Sequence, residues 1–116
     1  MGAFQSRVDE EGVRKAVDSQ SVVMFTKSAC SYCVKAKNLL NEQKVDYKEI
    51  DFDALKQQNP NEHQGLVNGL VYMTKITGVP QIFICGKFIG GFTELSELHE
   101  AKTLLEKISE CTKEND

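Results

Sequence analysis

The sequence predicts an α/β fold in which a four-stranded mixed sheet is flanked by helices. Three observations point there. Short β-rich apolar runs alternate with segments of helical periodicity along the 116 residues, in the order α-β-α-β-α-β-β-α. The first two strands enclose a helix, so they form a βαβ unit with a right-handed crossover. The last two strands flank Gly86 closely and so form a hairpin.

Each element has its own signal. Asp9 caps a first helix over Glu10 to Asp18, with Val13, Ala16 and Val17 on its apolar side. Val22 to Thr26 is β-branched and apolar, hence a buried strand. After Cys30 a helix runs to about Gln43, with Val34, Ala36, Leu39 and Leu40 placed where it could bury one side. Val45 to Ile50 reads as the second strand. Asn59, Pro60 and Glu62 mark a helix start, and Leu66, Leu70 and Met73 supply that helix's core face. Gln81 to Cys85 and Lys87 to Ile89 are the hairpin strands. Gly90-Gly91 turns the chain into a last helix capped by Thr93 and lined by Leu98, Ala101, Leu105 and Ile108.

Length suits one domain over residues 1–116, with residues 1–8 and 112–116 as loose ends. No run is apolar enough to cross a membrane. Met1 to Gln20 lacks the apolar stretch of a secretory signal and is too acidic for a mitochondrial transit peptide. Four cysteines without an export signal point to a reducing compartment, and the expectation is a cytoplasmic protein. A net charge of −3 gives no footprint for nucleic acid. Met1-Gly2-Ala3-Phe4-Gln5-Ser6 fits an N-myristoylation pattern at Gly2, but one acyl chain would not give stable membrane insertion.

Cys30-Ser31-Tyr32-Cys33 carries the chemistry. The pair sits where a strand hands over to a helix. The first cysteine there faces unpaired backbone N–H groups and the positive end of the helix dipole. Both favour thiolate, the reactive species. The second cysteine lies one turn on, within reach of a mixed disulfide at the first, as thiol–disulfide exchange needs. A zinc knuckle would want a second Cys/His pair, and Cys85, Cys111, His63 and His99 stand apart in sequence. A purely structural role is also disfavoured, because so short a loop constrains the unfolded chain little. Lys27, Lys35 and Lys37 surround the pair and can make it locally cationic; a solvated helix face is the plainer reading of at least one of them.

The CxxC at a helix start, Val79-Pro80 before a hairpin, Lys27, Gly78 and the run Gly90-Gly91-Phe92-Thr93-Glu94 together resemble the glutaredoxins of the thioredoxin superfamily, with a dithiol CSYC site. The resemblance runs from about Glu10 to Leu105. It implies a thioredoxin-like fold and a glutathione-dependent thiol–disulfide oxidoreductase with Cys30 and Cys33 catalytic. Glutathionylated and disulfide-containing proteins would be the substrates. It also implies a glutathione site. Val79, held extended by a cis Pro80, would pair with the tripeptide backbone. Thr93 and Glu94, at a helix start, would take the γ-glutamyl end, and Lys27 the glycyl carboxylate. Tyr32 would flank the sulfur. The plain alternatives stay open: a turn at Gly90-Gly91, a cap at Thr93, a dipole partner at Glu94 and a surface lysine at Lys27.

The chain departs from the family in places. Val67 stands where a glutamine often helps with the glycyl carboxylate; Gln64, nearly a turn upstream, is the candidate substitute. Cys85 is expected as a small buried residue; Cys111 falls at the end of the last helix, where exposure and not position decides whether it could act as a regulatory or dimer-forming thiol. Ser31 replaces a frequent proline, and Ala29 stands where a tryptophan is sometimes found. Similar serine-containing members hold a [2Fe–2S] cluster between two subunits, with the first cysteine of each and two glutathiones as ligands. The alternative reading is therefore a cluster-bridged homodimer with Cys30 as the metal ligand, acting as redox sensor or cluster carrier. Without a cluster the expectation is a monomer.

Overall fold

The computed structural model describes residues 8–115, and side-chain surroundings as far as residue 111. The myristoylation motif at Gly2 lies outside the described residues. The elements in chain order are α1 (Glu10–Asp18), β1 (Val22–Thr26), α2 (Ser31–Glu42), β2 (Lys48–Asp51), α3 (Phe52–Gln58), α4 (Pro60–Thr74), β3 (Gln81–Ile84), β4 (Lys87–Gly90), α5 (Phe92–Glu100) and α6 (Leu104–Asn115). The strands form one sheet in the order β2-β1-β3-β4. β1 runs parallel to β2 and antiparallel to β3, and β3–β4 is an antiparallel hairpin, so the sheet is mixed as expected.

β1 is buried at every residue, because side chains of a strand alternate between two covered faces. Val22 and Met24 enter a cluster with Ala36, Leu40, Ile82, Ile84, Leu95 and Leu104, under α2, α5 and α6. Val23 and Phe25 enter a second cluster with Val13, Val17, Phe52, Leu66, Leu70 and Phe83, under α1, α3 and α4. Burying an aliphatic or aromatic side chain contributes roughly 1.5–3 kcal/mol, so these two layers hold the sheet. On the second face Gly69 lets α4 press against the chain entering α1: a Cβ there would lie 2.7 Å from the Asp9 carbonyl oxygen. Asp9 caps α1 by accepting from the Gly12 N–H at 2.8 Å, and Asn59 caps α4 by accepting from the Glu62 N–H at 3.2 Å.

Four expectations are corrected. β2 starts at Lys48, later than Val45, and ends at Asp51. Asp51 then caps α3, accepting from Asp53 and Ala54 N–H, a helix the alternation pattern did not suggest. The cap of α5 is Gly91 and not Thr93, which lies inside the first turn. The final helix is two helices. Lys102 takes a left-handed φ of 61°, its N–H donates to the His99 carbonyl, and the Thr103 N–H donates to the Leu98 carbonyl. That is a Schellman ending with lysine where glycine is usual. The break rotates the apolar face, so Leu104 is buried while Ala101 and Leu105 are exposed.

Cys85 and Cys111 are likewise not free: they form a disulfide with 5.0 Å between their Cα atoms. Cys85 is half-buried and Cys111 buried, so neither stands as a lone thiol. The pair fastens α6 to the β3–β4 turn. It lies beyond the end of β1 that carries Val22, opposite the end from which the chain leaves toward Cys30. Among the described residues no helix is long and apolar enough to cross a membrane.

Candidate active site

The site is assembled where β1 and β3 end and two helices begin. Cys30 is the N-cap of α2, with extended backbone, and its Sγ accepts from the Cys33 N–H at 3.1 Å. A helix start offers such unpaired N–H groups to any acceptor placed there, and a thiolate is the best form of sulfur to receive them. Ala29, just before it, has φ 55°, a left-handed conformation that a residue with a Cβ adopts at a cost. Cys30 is half-buried, whereas Cys33 is only 1% exposed. The two cysteines form a disulfide, with Cα atoms 5.2 Å apart, a separation suited to such a bond. One sulfur therefore faces solvent and the other is held behind it.

The Val79–Pro80 peptide is cis, and the Val79 carbonyl oxygen lies 3.8 Å from Cys30 Sγ. A cleft of about 490 Å³ runs from there, lined by Tyr32, Val79, Pro80, Phe92, Thr93 and Glu94 among others. The two glycines let its far wall approach. A Cβ on Gly90, whose φ is 119°, would strike the Glu94 side chain. A Cβ on Gly91 would come within 3.2 Å of the Pro80 carbonyl oxygen. The Glu94 carboxylate accepts from the Gly91 N–H at 2.7 Å, half of a capping box. The first helical bond of α5 is the Leu95 N–H to the Gly91 carbonyl. The N–H groups of Phe92, Thr93 and Glu94 precede that bond in the helix's first turn, and all three residues line the cleft.

A second hollow of about 370 Å³, on the other side of the cysteines, is lined by Lys27, Cys30, Ser31, Cys33, Lys37, Glu49 and Asp51. Here the expected cationic surround is corrected. Lys37 pairs with Glu49 at 3.0 Å, Thr26 donates to the same carboxylate at 2.7 Å, and Asp51 adds a further negative group. Lys35 lies over the Tyr32 ring, 5.1 Å from its centroid. Lys27 remains as the exposed lysine beside Cys30. Tyr32 itself is exposed and leans toward Phe92, with ring centroids 6.2 Å apart.

The structure thus brings Tyr32, Val79, Pro80, Thr93 and Glu94 to one cleft, with Cys30 at its Val79 edge, Cys33 buried behind Cys30, and Lys27 beside the two cysteines in the second hollow. It does not bring Gln64 there: that residue is exposed on α4 and lines neither hollow. Sequence reasoning missed Glu49, Asp51 and Gln81. Glu49 lies on a strand whose sequence carries no sign of its neighbour, and only the parallel pairing of Phe25 with Ile50 carries it alongside Thr26. Gln81 carried one signal, a polar residue in an otherwise apolar strand directly after a proline.

The glutaredoxin family pattern matches residues 22–89. Over 103 residues the chain is 35% identical to the mitochondrial glutaredoxin-2 of Bos taurus, covering 89% of this chain and 62% of the bovine protein. The chain therefore spans less than two thirds of that relative's length. The crystal structure of the holo form of glutaredoxin C1 from Populus tremula x tremuloides superposes with a TM-score of 0.78 at 30% identity, covering 88% of this chain and 96% of the poplar chain. The buckwheat glutaredoxin–glutathione complex superposes with a TM-score of 0.79 at 27% identity, covering 95% of this chain and 93% of that one. The pattern takes in more than half of the residues and the likeness in fold extends over most of the chain, so this chain belongs to the glutaredoxin family of the thioredoxin superfamily.

Proposed function

We infer that this chain is a glutathione-dependent thiol–disulfide oxidoreductase working through Cys30 and Cys33, within a single domain. The observation that carries the reading is the setting of Cys30: its Sγ accepts the Cys33 N–H at 3.1 Å and lies 3.8 Å from the Val79 carbonyl beside the cis peptide. Glutathione would lie in the cleft with its backbone along Val79, its γ-glutamyl carboxylate on the Thr93 and Glu94 N–H groups, and its glycyl carboxylate toward Lys27. The Glu94 carboxylate and the Tyr32 ring would border its ends. The buckwheat relative is a glutathione complex, which supports glutathione as the ligand.

The chemistry balances as a thiol exchange. The Cys30 thiolate attacks the glutathione sulfur of a protein–glutathione mixed disulfide. A Cys30–glutathione disulfide forms, and the protein leaves as thiolate and takes a proton from water. A second glutathione thiolate attacks the bound glutathione sulfur, releasing Cys30 and glutathione disulfide. With a protein disulfide, Cys30 first bonds the protein, and Cys33 then attacks the Cys30 sulfur and frees the protein thiol. Burial of Cys33 keeps it from competing for the first attack. The test is reduction of a small glutathione mixed disulfide at the expense of glutathione. Turnover by the parent and none by Cys30→Ser is the expected result; a parent without turnover contradicts the reading.

A second reading is a glutathione-ligated [2Fe–2S] dimer. Among the described residues no group of three or more His, Cys, Asp or Glu forms a metal site. The residues fit a shared site: Ala29 and Ser31 are small, exposed and flank Cys30, leaving its sulfur open to a second copy. Cys30 of each chain would be the protein ligand, and the cluster would supply one-electron chemistry. Anaerobic reconstitution with iron, sulfide and glutathione should then give a coloured dimer that Ser31→Pro diminishes; a colourless monomer removes this reading.

A further inference from the structure

Gln81 opens β3 directly after Pro80 and is only 1% exposed. A buried amide needs its donors and its acceptor partnered. Its Nε2 donates to the Ile76 carbonyl at 2.8 Å and to the Gly78 carbonyl at 3.0 Å. Two carbonyl partners fix which end of the amide is nitrogen. Its Oε1 is buried without a partner among the described residues. An orphaned buried acceptor destabilises a fold, and an apolar side chain of the same shape would avoid it. Packing within the apolar strand therefore does not account for an amide here.

The segment it holds does. Ile76, Thr77 and Gly78 are exposed and belong to no helix or strand. Gly78 loosens them, since nothing lies within 4 Å of the place its Cβ would take. The next residue is Val79, whose carbonyl faces the Cys30 sulfur. Ile76, Gly78, Val79 and Gln81 all line the cleft assigned to glutathione.

We propose that Gln81 is a positioning residue: by gripping the Ile76 and Gly78 carbonyls it holds the Val79 backbone in the orientation that pairs with the glutathione peptide. The inference rests on the glutathione reading above and deepens it. Gln81 acts through Val79 and has no role at the sulfur.

Gln81→Met removes both hydrogen bonds, keeps the side-chain length and abolishes the bare oxygen. The expected result is a roughly three- to tenfold rise in KM for the glutathione mixed disulfide, with kcat within about twofold of the parent. Alkylation of reduced Cys30 should proceed at the parent rate, and the thermal midpoint should hold or rise. A merely structural role would lower the midpoint and reduce kcat and alkylation together. Gln81→Asn keeps an amide but is one methylene too short for both carbonyls, and should raise KM in the same way. A KM within about twofold of the parent in both variants overturns the proposal, and so does failure of both to fold. A parent without any turnover would instead contradict the glutathione reading and remove the ground for this one.

Discussion

Cys30 occupies the position where helices usually begin on serine, threonine or aspartate. Sulfur there receives an N–H in the way a capping oxygen would, at 3.1 Å from the Cys33 nitrogen. The anionic form accepts that bond best, and the helix dipole acts in the same direction. The exposed Lys27 adds a positive charge, while the charge of Lys37 is spent on Glu49. The Cys30 pKa in the reduced protein should therefore lie below the ordinary thiol value. Alkylation rate against pH checks this: reactivity should persist as pH falls through the usual thiol range, and an inflection at the ordinary value would reject the activated thiolate. At this scale the sequence was informative where the chemistry is local. Cys30 and Cys33 stood out because a short motif marks them, and the cis bond before Pro80 was implied by the family resemblance. Glu49 was not legible, because its partners Thr26 and Lys37 lie on other elements, 23 and 12 residues away; Gln81 was not, because nothing in the sequence shows that the chain before the strand turns the Ile76 and Gly78 carbonyls toward its amide.

The ends of helices carried most of what the sequence concealed. α2 and α5 both stop on a lysine in left-handed conformation, Lys44 and Lys102, each followed by a bond from the next N–H back to a leucine carbonyl. The end of α2 near Gln43 was nevertheless legible; at Lys102, without glycine, the continuous periodicity hid the break before α6. Glycine has no Cβ penalty there, so Lys102→Gly should stabilise the protein by about 0.5–1 kcal/mol in denaturant unfolding. α3 was hidden for another reason: Asp51 ends a strand and caps a helix at once, leaving no linker to announce the change. The Cys85–Cys111 link was also out of reach of a sequence, since it depends on how α6 folds back. It joins residues 26 apart, which in the chain-entropy account contributes about 3.5 kcal/mol. Replacing both cysteines by serine should lower the unfolding free energy by that order while leaving Cys30 alkylation at the parent rate. Loss of Cys30 reactivity in that variant would show the two pairs to be coupled.

On the scale of the molecule, two helical layers clamp a sheet whose central strand ends at the reactive sulfur. That arrangement was legible as soon as the βαβ unit and the hairpin were placed, because a two-faced apolar strand demands cover on both sides. The layers keep the two disulfides beyond opposite ends of β1. Cys33 can therefore resolve a bond at Cys30, whereas Cys85 and Cys111 are remote from it. The central claim is that Cys30 alone takes up glutathione and that the cleft beside Val79 receives it. Its most direct test is the intact mass and peptide map of Cys33→Ser after exposure to glutathione disulfide. The account predicts a single glutathione, attached at Cys30 and removed again by excess glutathione. No adduct on Cys30, or one on Cys85 or Cys111 instead, would contradict it.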